Sequence, residues 1–239
     1  MAKLHIPKDL IFYISNSHSC SYLADRESVN IIADPKYAMD QACYSALSQL
    51  GFRRSGDLVY APRCPNCSLC LPIRLPCWRF KPNRSQRRNL RDNGDITITL
   101  SEATVADEQV DLYQRYIRNR HRDGSMDGEE SDDYASFFLS DWSPSLFVEF
   151  RLQQQLLAVC VVDELESGLS AVYTFYDPDF GARGLGTLAI LKMVEICRDQ
   201  GLPYLYLGYL ITQSPKMAYK ANFKPYEILL PQGWTEQCH

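Results

Sequence analysis

What this chain lacks narrows it first. No apolar run reaches the roughly 20 residues that a helix needs to cross a bilayer. The first eight residues, from Met1 to Lys8, contain no long apolar stretch of the kind that marks a secretory leader. Histidine is scarce, with only His5, His18, His121 and His239, and no Ser/His/Asp or Cys/His arrangement emerges around them. There is no internal repeat, no low-complexity tract, and no second CxxC after the first. A net charge of −4 excludes a general attraction to nucleic acid. The cysteines number nine, an odd count that argues against a secreted disulfide framework and for reduced thiols in the cytoplasm. With 46% hydrophobic and 23% charged residues the chain is an ordinary globular one, and 239 residues allow one large domain or two modest ones.

What is present reads as alternating strands and helices. Asp34 and Pro35 predict a helix start, with Met39, Ala42, Cys43, Ala46, Leu47 and Leu50 at helical spacing and Gly51 as the cap. Leu58-Val59-Tyr60 is a short strand. Residues 71–80 are apolar but carry Pro72 and Pro76, which predicts an edge strand because proline has no N–H for a ladder. Residues 83–91 make a short basic helix ended by Asn93-Gly94, and 95–100 alternate as a strand does.

The second half is more regular. Residues 106–120 are helical in pattern, with Val110, Leu112, Tyr113 and Ile117 inward, followed by an acidic loop and a short aromatic helix over 134–139. Strands over 146–152, 156–163 and 169–176 precede a helix over 186–200, closed by Gly201, and a strand over 204–209. Strand–strand–strand–helix–strand is the order of the acetyltransferase-like (GNAT) core. The expected fold is α+β: a mixed GNAT sheet core with helices on both faces over residues 104–239, preceded by a smaller cysteine-containing α+β domain over residues 1–103.

The glycine turn Arg183-Gly184-Leu185-Gly186 opens the long helix beside a tyrosine-rich pair of strands. Backbone N–H groups at a helix N-terminus suit a phosphate-bearing acyl donor. Against the coenzyme A pattern (Arg or Gln, two residues, Gly, one residue, Gly or Ala), Arg183 and Gly186 fit, but Leu188 stands in the final small position, where it is expected to crowd a pyrophosphate. A plain tight turn is the other reading of so short a motif.

Two further segments carry chemistry. Cys64, Cys67 and Cys70, with Cys20 or Cys77 as a fourth ligand, could hold zinc or an iron–sulfur cluster; the alternative is buried or redox-sensitive thiols. Arg79, Lys81, Arg84, Arg87, Arg88 and Arg91 form a local basic patch on an acidic chain, which could steer one anionic partner or be a solvated helix face.

Taken in order, Cys20-Ser21-Tyr22-Leu23, Gly51-Phe52-Arg53-Arg54-Ser55-Gly56, the Cys64–Cys70 cluster and Arg84-Ser85-Gln86-Arg87-Arg88 carry a resemblance. It continues through Tyr113-Gln114-Arg115-Tyr116 with Arg120-His121, then Leu169 to Phe175, Tyr206-Leu207-Gly208-Tyr209 and Lys216-Met217-Ala218-Tyr219-Lys220. The chain resembles the arginyl-tRNA–protein transferase family, in its bacterial aspartate/glutamate leucyltransferase branch, from near the N-terminus to near Trp234. The family pattern usually has serine where Gly184 stands and tryptophan where Leu210 stands.

The resemblance implies transfer of leucine from leucyl-tRNA to proteins with N-terminal Asp or Glu, marking them for N-degron degradation, with no cofactor required for the chemistry. It gives the segments roles. Arg183, Gly184 and Gly186 would receive the terminal adenosine and its phosphate. Tyr173, Tyr176, Tyr206 and Tyr209 would line the reaction cleft, stacking on adenine or donating to the oxyanion. Lys216, Tyr219 and Lys220 would hold phosphate or the acceptor carboxylate, for which Arg118, Arg120 and His121 are rivals. Arg84, Arg87 and Arg88 would touch the acceptor stem, and Phe175, Leu207 and Met217 would wall a leucyl pocket. Three other readings stand beside it: an arginyl-tRNA donor, a coenzyme A-dependent acetyltransferase, and a zinc-containing RNA-binding protein without catalysis. Oligomeric state is open.

Overall fold

The computed structural model describes residues 6–120 and 131–237. His5, His121, His239, most of the acidic loop and the side chain of Arg120 lie outside the described residues. The remainder is a mixed α+β structure built on one large sheet.

A small antiparallel sheet comes from β1 (Phe12–Ile14), β4 (Asn30–Ala33), β5 (Arg53–Ser55) and β6 (Leu58–Pro62), in the order β1-β4-β6-β5. The pair β2 (His18–Ser19) and β3 (Glu27–Ser28) stands apart from it. Helix α1 (Gln41–Gln49) starts later than the sequence predicts. Asp40, not Asp34, caps it by accepting the Cys43 N–H at 2.7 Å. Asp34 instead accepts the Lys36 N–H and closes a tight turn.

The large sheet runs β14-β13-β7-β12-β11-β10-β9-β8. Its members are β7 (Leu71–Pro76), β8 (Ile96–Glu102), β9 (Ser145–Leu152), β10 (Gln155–Leu165), β11 (Gly168–Tyr176), β12 (Tyr204–Leu210), β13 (Tyr226–Leu230) and β14 (Gly233–Gln237). It reaches across residues 103 and 104, taking β7 and β8 from before that point. β7 is an interior strand, contrary to the edge position that its prolines predict. Pro72 and Pro76 sit near its two ends opposite Tyr209 and Tyr204, while β13 pairs only with Ile73 and Arg74, so no ladder bond is demanded of a proline in the middle.

Helices cover both faces. On one face, α5 (Leu185–Asp199) packs Leu188, Leu191, Val194 and Cys197 onto Leu157, Cys160 and Leu205 of the sheet. On the other, α3 (Asp107–Arg120) and α4 (Ser131–Phe138) bury Leu112, Tyr113, Tyr134 and Phe138 against Val159, Val161 and Phe175. The alternation of β10 side chains between these two cores follows from the two-residue period of a strand. Helix α2 (Arg84–Asp92) begins with a capping box: Asn83 accepts the Gln86 N–H while the Gln86 side chain accepts the Asn83 N–H.

Among the described residues the parallel pairing in the large sheet is β11 with β12, and it covers only Gly168–Ser170 against Tyr204–Tyr206. Beyond that point both strands leave register. β11 carries an extra residue, Val172, because Val161 faces Tyr173 while Val162 faces Ala171. β12 shifts against β7 between Tyr206 and Tyr209, at Gly208 with φ +72°. The two strands therefore part, and the helix that joins them, α5, begins at the open end.

Candidate active site

The glycine turn at the mouth of this split is braced from three sides. The 3-10 segment over Pro178–Arg183, two short turns kinked at Phe180, is capped by buried Asp177, which accepts the Asp179 N–H and, at 2.9 Å, an Arg115 N–H from α3. Arg183 forms a two-pronged ion pair with Asp95 at 2.8 and 2.9 Å. Its carbonyl accepts from Asn89 of α2 at 2.8 Å and from Asn93 at 3.0 Å. Gly184 adopts the left-handed conformation, φ +63°, and a side chain there would meet Asn89 Nδ2 at 2.9 Å. The N-terminus of α5 carries no side-chain cap, so its first N–H groups have no partner of that kind.

Leu188 does not crowd this turn. Its side chain is fully buried in the core beneath α5, because it lies on the face that packs on the sheet. Leu188 therefore presents no steric obstacle to a pyrophosphate at this turn. Tyr176 lies close to the helix start, its ring 3.7 Å from where a Gly186 side chain would begin.

The basic helix and the glycine turn, separate motifs in the sequence, are neighbours here. Besides Asn89 and Asn93, α2 sends buried Gln86 to the carbonyl of Asn222, just after the Lys216–Lys220 segment. Arg84, Arg87, Arg88 and Arg91 then face outward around a surface hollow of about 670 Å³. The arginines are exposed while the amides on the opposite face do the docking.

The predicted site residues divide accordingly. Gly184, Gly186 and Tyr176 lie at the mouth, and Arg84, Arg87 and Arg88 lie on the outward face of the helix that docks there. Arg183 is at the mouth too, but Asp95 holds its guanidinium. Tyr173 belongs to an aromatic cluster with Tyr113, Tyr116, Phe137 and Phe138. Tyr206 faces the small sheet, its hydroxyl within bonding distance of Arg74 and Ser167. Tyr209 donates its hydroxyl proton to the Gly51 carbonyl at 2.8 Å, and burial pushes its pKa up. Lys216 and Tyr219 are exposed. Arg118 is exposed on α3 and donates to the Gln114 carbonyl. Phe175, Leu207 and Met217 sit in three different cores, so they do not wall one pocket.

Lys220 is buried and has no carboxylate partner among the described residues. It donates to the Tyr209 carbonyl at 2.8 Å. Burial first, and then the positive charge of Arg53, hold its pKa well below the ordinary lysine value.

Cys20, Cys64, Cys67 and Cys70 line one cavity of about 300 Å³ together with Tyr22, Tyr60 and Tyr209. Burial, and then the neighbouring thiols of Cys64, Cys20 and Cys67, push the Cys70 thiol up to about 11. Among the described residues no three His, Cys, Asp or Glu side chains are arranged as a ready metal site. Cys77 lies elsewhere, buried under α5.

The sequence reading gave no role to Arg53, Asp95, Arg115 or Asp177. Arg53 and Arg54 stood in a recognised motif, and adjacent residues on a strand point to opposite sides. Arg54 is fully buried against Asp163, and Arg53 enters the split.

Comparison with known proteins is consistent with this arrangement. Family profiles described as "Arginine-tRNA-protein transferase, N terminus" and "Arginine-tRNA-protein transferase, C terminus" match residues 18–88 and 108–230. The chain is 47% identical over 227 residues to the aspartate/glutamate leucyltransferase of Teredinibacter turnerae, covering 95% of this chain and 93% of that one. To the aspartate/glutamate leucyltransferase of Hahella chejuensis it is 46% identical, covering 95% and 97%. Solved structures match more loosely: L-PGS from Bacillus licheniformis has a TM-score of 0.43 at 12% identity, over 75% of this chain and 55% of that one. The chain is an aminoacyltransferase. It belongs to the arginyl-tRNA–protein transferase family.

Proposed function

We propose that this enzyme moves leucine from leucyl-tRNA to the α-amine of proteins beginning with Asp or Glu, marking them for degradation in the cytoplasm. The observation that carries the proposal is the docking of α2 on the glycine turn. It sets a row of exposed arginines beside the capless N-terminus of α5, at the open end of the β11/β12 split. A duplex backbone can lie along the arginines while the terminal phosphate meets the helix N-terminus. The β11–α5–β12 unit with its parting strands is the feature that supports an acetyltransferase-like core. The relatives' shared name supports leucine as the donor and an acidic residue as the acceptor.

The chemistry suits this residue set. The acceptor α-amine, with an ordinary pKa of about 7.7–8.0, is substantially neutral near neutral pH. Its nitrogen attacks the ester carbonyl carbon of leucyl-tRNA, and an oxyanion forms. The bond from that carbon to the ribose oxygen then breaks, and the departing oxygen takes the proton that the amine loses. Positioning and oxyanion stabilisation can provide most of the acceleration, so a Ser/His/Asp triad is not needed. Tyr176, against the start of α5, would stack on the terminal adenine.

No cofactor takes part in these steps. The thiols of Cys20, Cys64, Cys67 and Cys70 share one cavity without forming a ready metal site among the described residues, so a zinc ion or iron–sulfur cluster would have to draw them together. Its contribution would be to fix the β2–β3 segment against the loop before β7.

Replacing Arg84, Arg87 and Arg88 together by Gln tests the donor side. The expected result is a higher KM for leucyl-tRNA, with the slope of log affinity against log salt shallower by about 1 for each arginine that contacts a phosphate. An unchanged slope, or acyl transfer from acetyl-coenzyme A without tRNA, would remove the RNA donor from the reading.

A further inference from the structure

Among the described residues, Arg53 is a cation with no ion-pair partner. It reaches from β5 to the point where the two central strands part. Its Nη2 donates to the carbonyls of Ala171 and Val172 at 3.2 and 2.7 Å. Both carbonyls are available on one side because Val172 is the bulged residue of β11. The face of the guanidinium lies against Gly208, the bulge of β12; a side chain at Gly208 would come within 2.3 Å of Nη1. Arg53 therefore spans both bulges.

Most other arginines around the sheet are ion-paired, although Arg198 of α5 donates only to the carbonyls of Cys77 and Phe80. Arg54 has Asp163, Arg74 has Glu227, Arg115 has Asp177 and Arg183 has Asp95. Arg53 has no ion pair among the described residues, and its Nε and Nη1 donors make no hydrogen bond there. Beyond the buried Lys220 amine and Tyr44, its electrostatic neighbours are the tyrosines Tyr60, Tyr22 and Tyr209. These same three line the 300 Å³ cavity. The hydroxyls of Tyr22 and Tyr60, like the free guanidinium donors, have no hydrogen-bond partner among the described residues. A half-buried guanidinium with donors unspent, beside two unspent hydroxyls, is complementary to a carboxylate.

We propose that Arg53 is the specificity residue for the acceptor, binding the side-chain carboxylate of its N-terminal Asp or Glu at the split. This rests on the proposed transfer reaction and adds to it the group that reads the acceptor. Arg118, exposed and outside the split, is displaced from that role. The bulges gain a purpose: one presents two carbonyls that aim the guanidinium, and the other removes the side chain that would block it.

The test uses the full-length enzyme with saturating leucyl-tRNA and two peptides that differ only in beginning with Asp or Asn. For Arg53→Gln, kcat/KM on the Asp peptide is expected to fall by at least about thirty-fold, as on removing one partner of a hydrogen-bonded charge pair. The loss should appear in the peptide KM, the Asp-to-Asn ratio should collapse toward one, and Arg53→Lys should restore part of it. Equal losses on the two peptides would make Arg53 merely structural, and a rise in the KM for leucyl-tRNA instead would assign it to the donor. Should Arg53→Gln fail to fold, footprinting of the wild-type enzyme with an arginine-selective dicarbonyl decides. The Asp peptide should protect Arg53 and the Asn peptide should not, whereas equal labelling would overturn the proposal. Footprinting reads peptide binding without turnover, so it stays informative even if wild-type enzyme transfers no leucine, an outcome that would sink the transfer reading itself.

Discussion

Gly208→Ala is expected to remove most transfer to acidic acceptors while leaving the fold recognisable. Two costs combine at this position. A left-handed alanine is strained by about 1–2 kcal/mol, and its methyl would lie 2.3 Å from Arg53 Nη1 and 2.6 Å from Cζ. A long side chain normally yields to such a methyl. Arg53 yields only by giving up the carbonyls of Ala171 and Val172, which aim it into the split. Activity should therefore fall at least about thirty-fold, as if the guanidinium had been lost. Coupling provides the control: in an Arg53→Ala background the clash is gone, and Gly208→Ala should add only the backbone strain to the single loss. Steady-state rates and denaturant melts of the four proteins of that cycle measure both terms. Additive losses would show that the two residues do not meet as described.

Arg54→Met should be the most damaging single change to stability. The Arg54 and Asp163 side chains are both completely buried, joined at 2.6 and 2.7 Å. Arg54 also donates to the carbonyls of Phe138 and Gly56, while Tyr44 and Ser145 donate to Asp163. Through this cluster β5 and α1 are fastened to β10 and α4. Removing the cation strands a buried carboxylate, a change that typically costs about 3–5 kcal/mol. For a chain of this size that corresponds to a drop of roughly 6–20 °C in Tm. Neutralising the stranded partner, in Arg54→Met with Asp163→Asn, should recover part of the loss. If the double variant were no more stable than the single one, charge burial would not be the cause.

These two arginines show how far the sequence could be read. Local signals carried the helices and strands: the Asn83 capping box, the alternation in β9 to β11, the long amphipathic α5 between glycines. They also carried the order that leads from β11 through α5 to β12. Signals that depend on a partner strand did not survive. Pro72 and Pro76 suggested an edge, but a strand with prolines at its ends can be interior when its neighbours pair only with the middle. Leu188 was judged by its place in a motif, whereas helical periodicity turned it into the core. Asp34 looked like a cap until Asp40 proved the nearer acceptor.

For the site, the basic helix and the glycine turn were both visible, but their contact was not. It runs through the side chains of Asn89 and Asn93, which no spacing rule connects to Arg183 ninety residues away. The tyrosines of β12 were misplaced for a related reason. A bulge at Gly208 resets which face each residue meets: Tyr206 packs into the small-sheet core, and Tyr209 packs with Ile211, Met217 and Tyr22. Arg53 gains its significance only from two bulges on strands far from it in sequence.

The central claim is that this enzyme joins leucine from leucyl-tRNA to an acidic N-terminus. The most direct measurement mixes the purified protein with equal amounts of leucyl-tRNA and arginyl-tRNA and with peptides beginning in Asp, Glu, Lys or Ala, then reads the products by mass spectrometry. A mass gain of one leucyl residue on the Asp and Glu peptides alone is the expected result. Arginine on those peptides, or no leucine on either of them, would contradict the account.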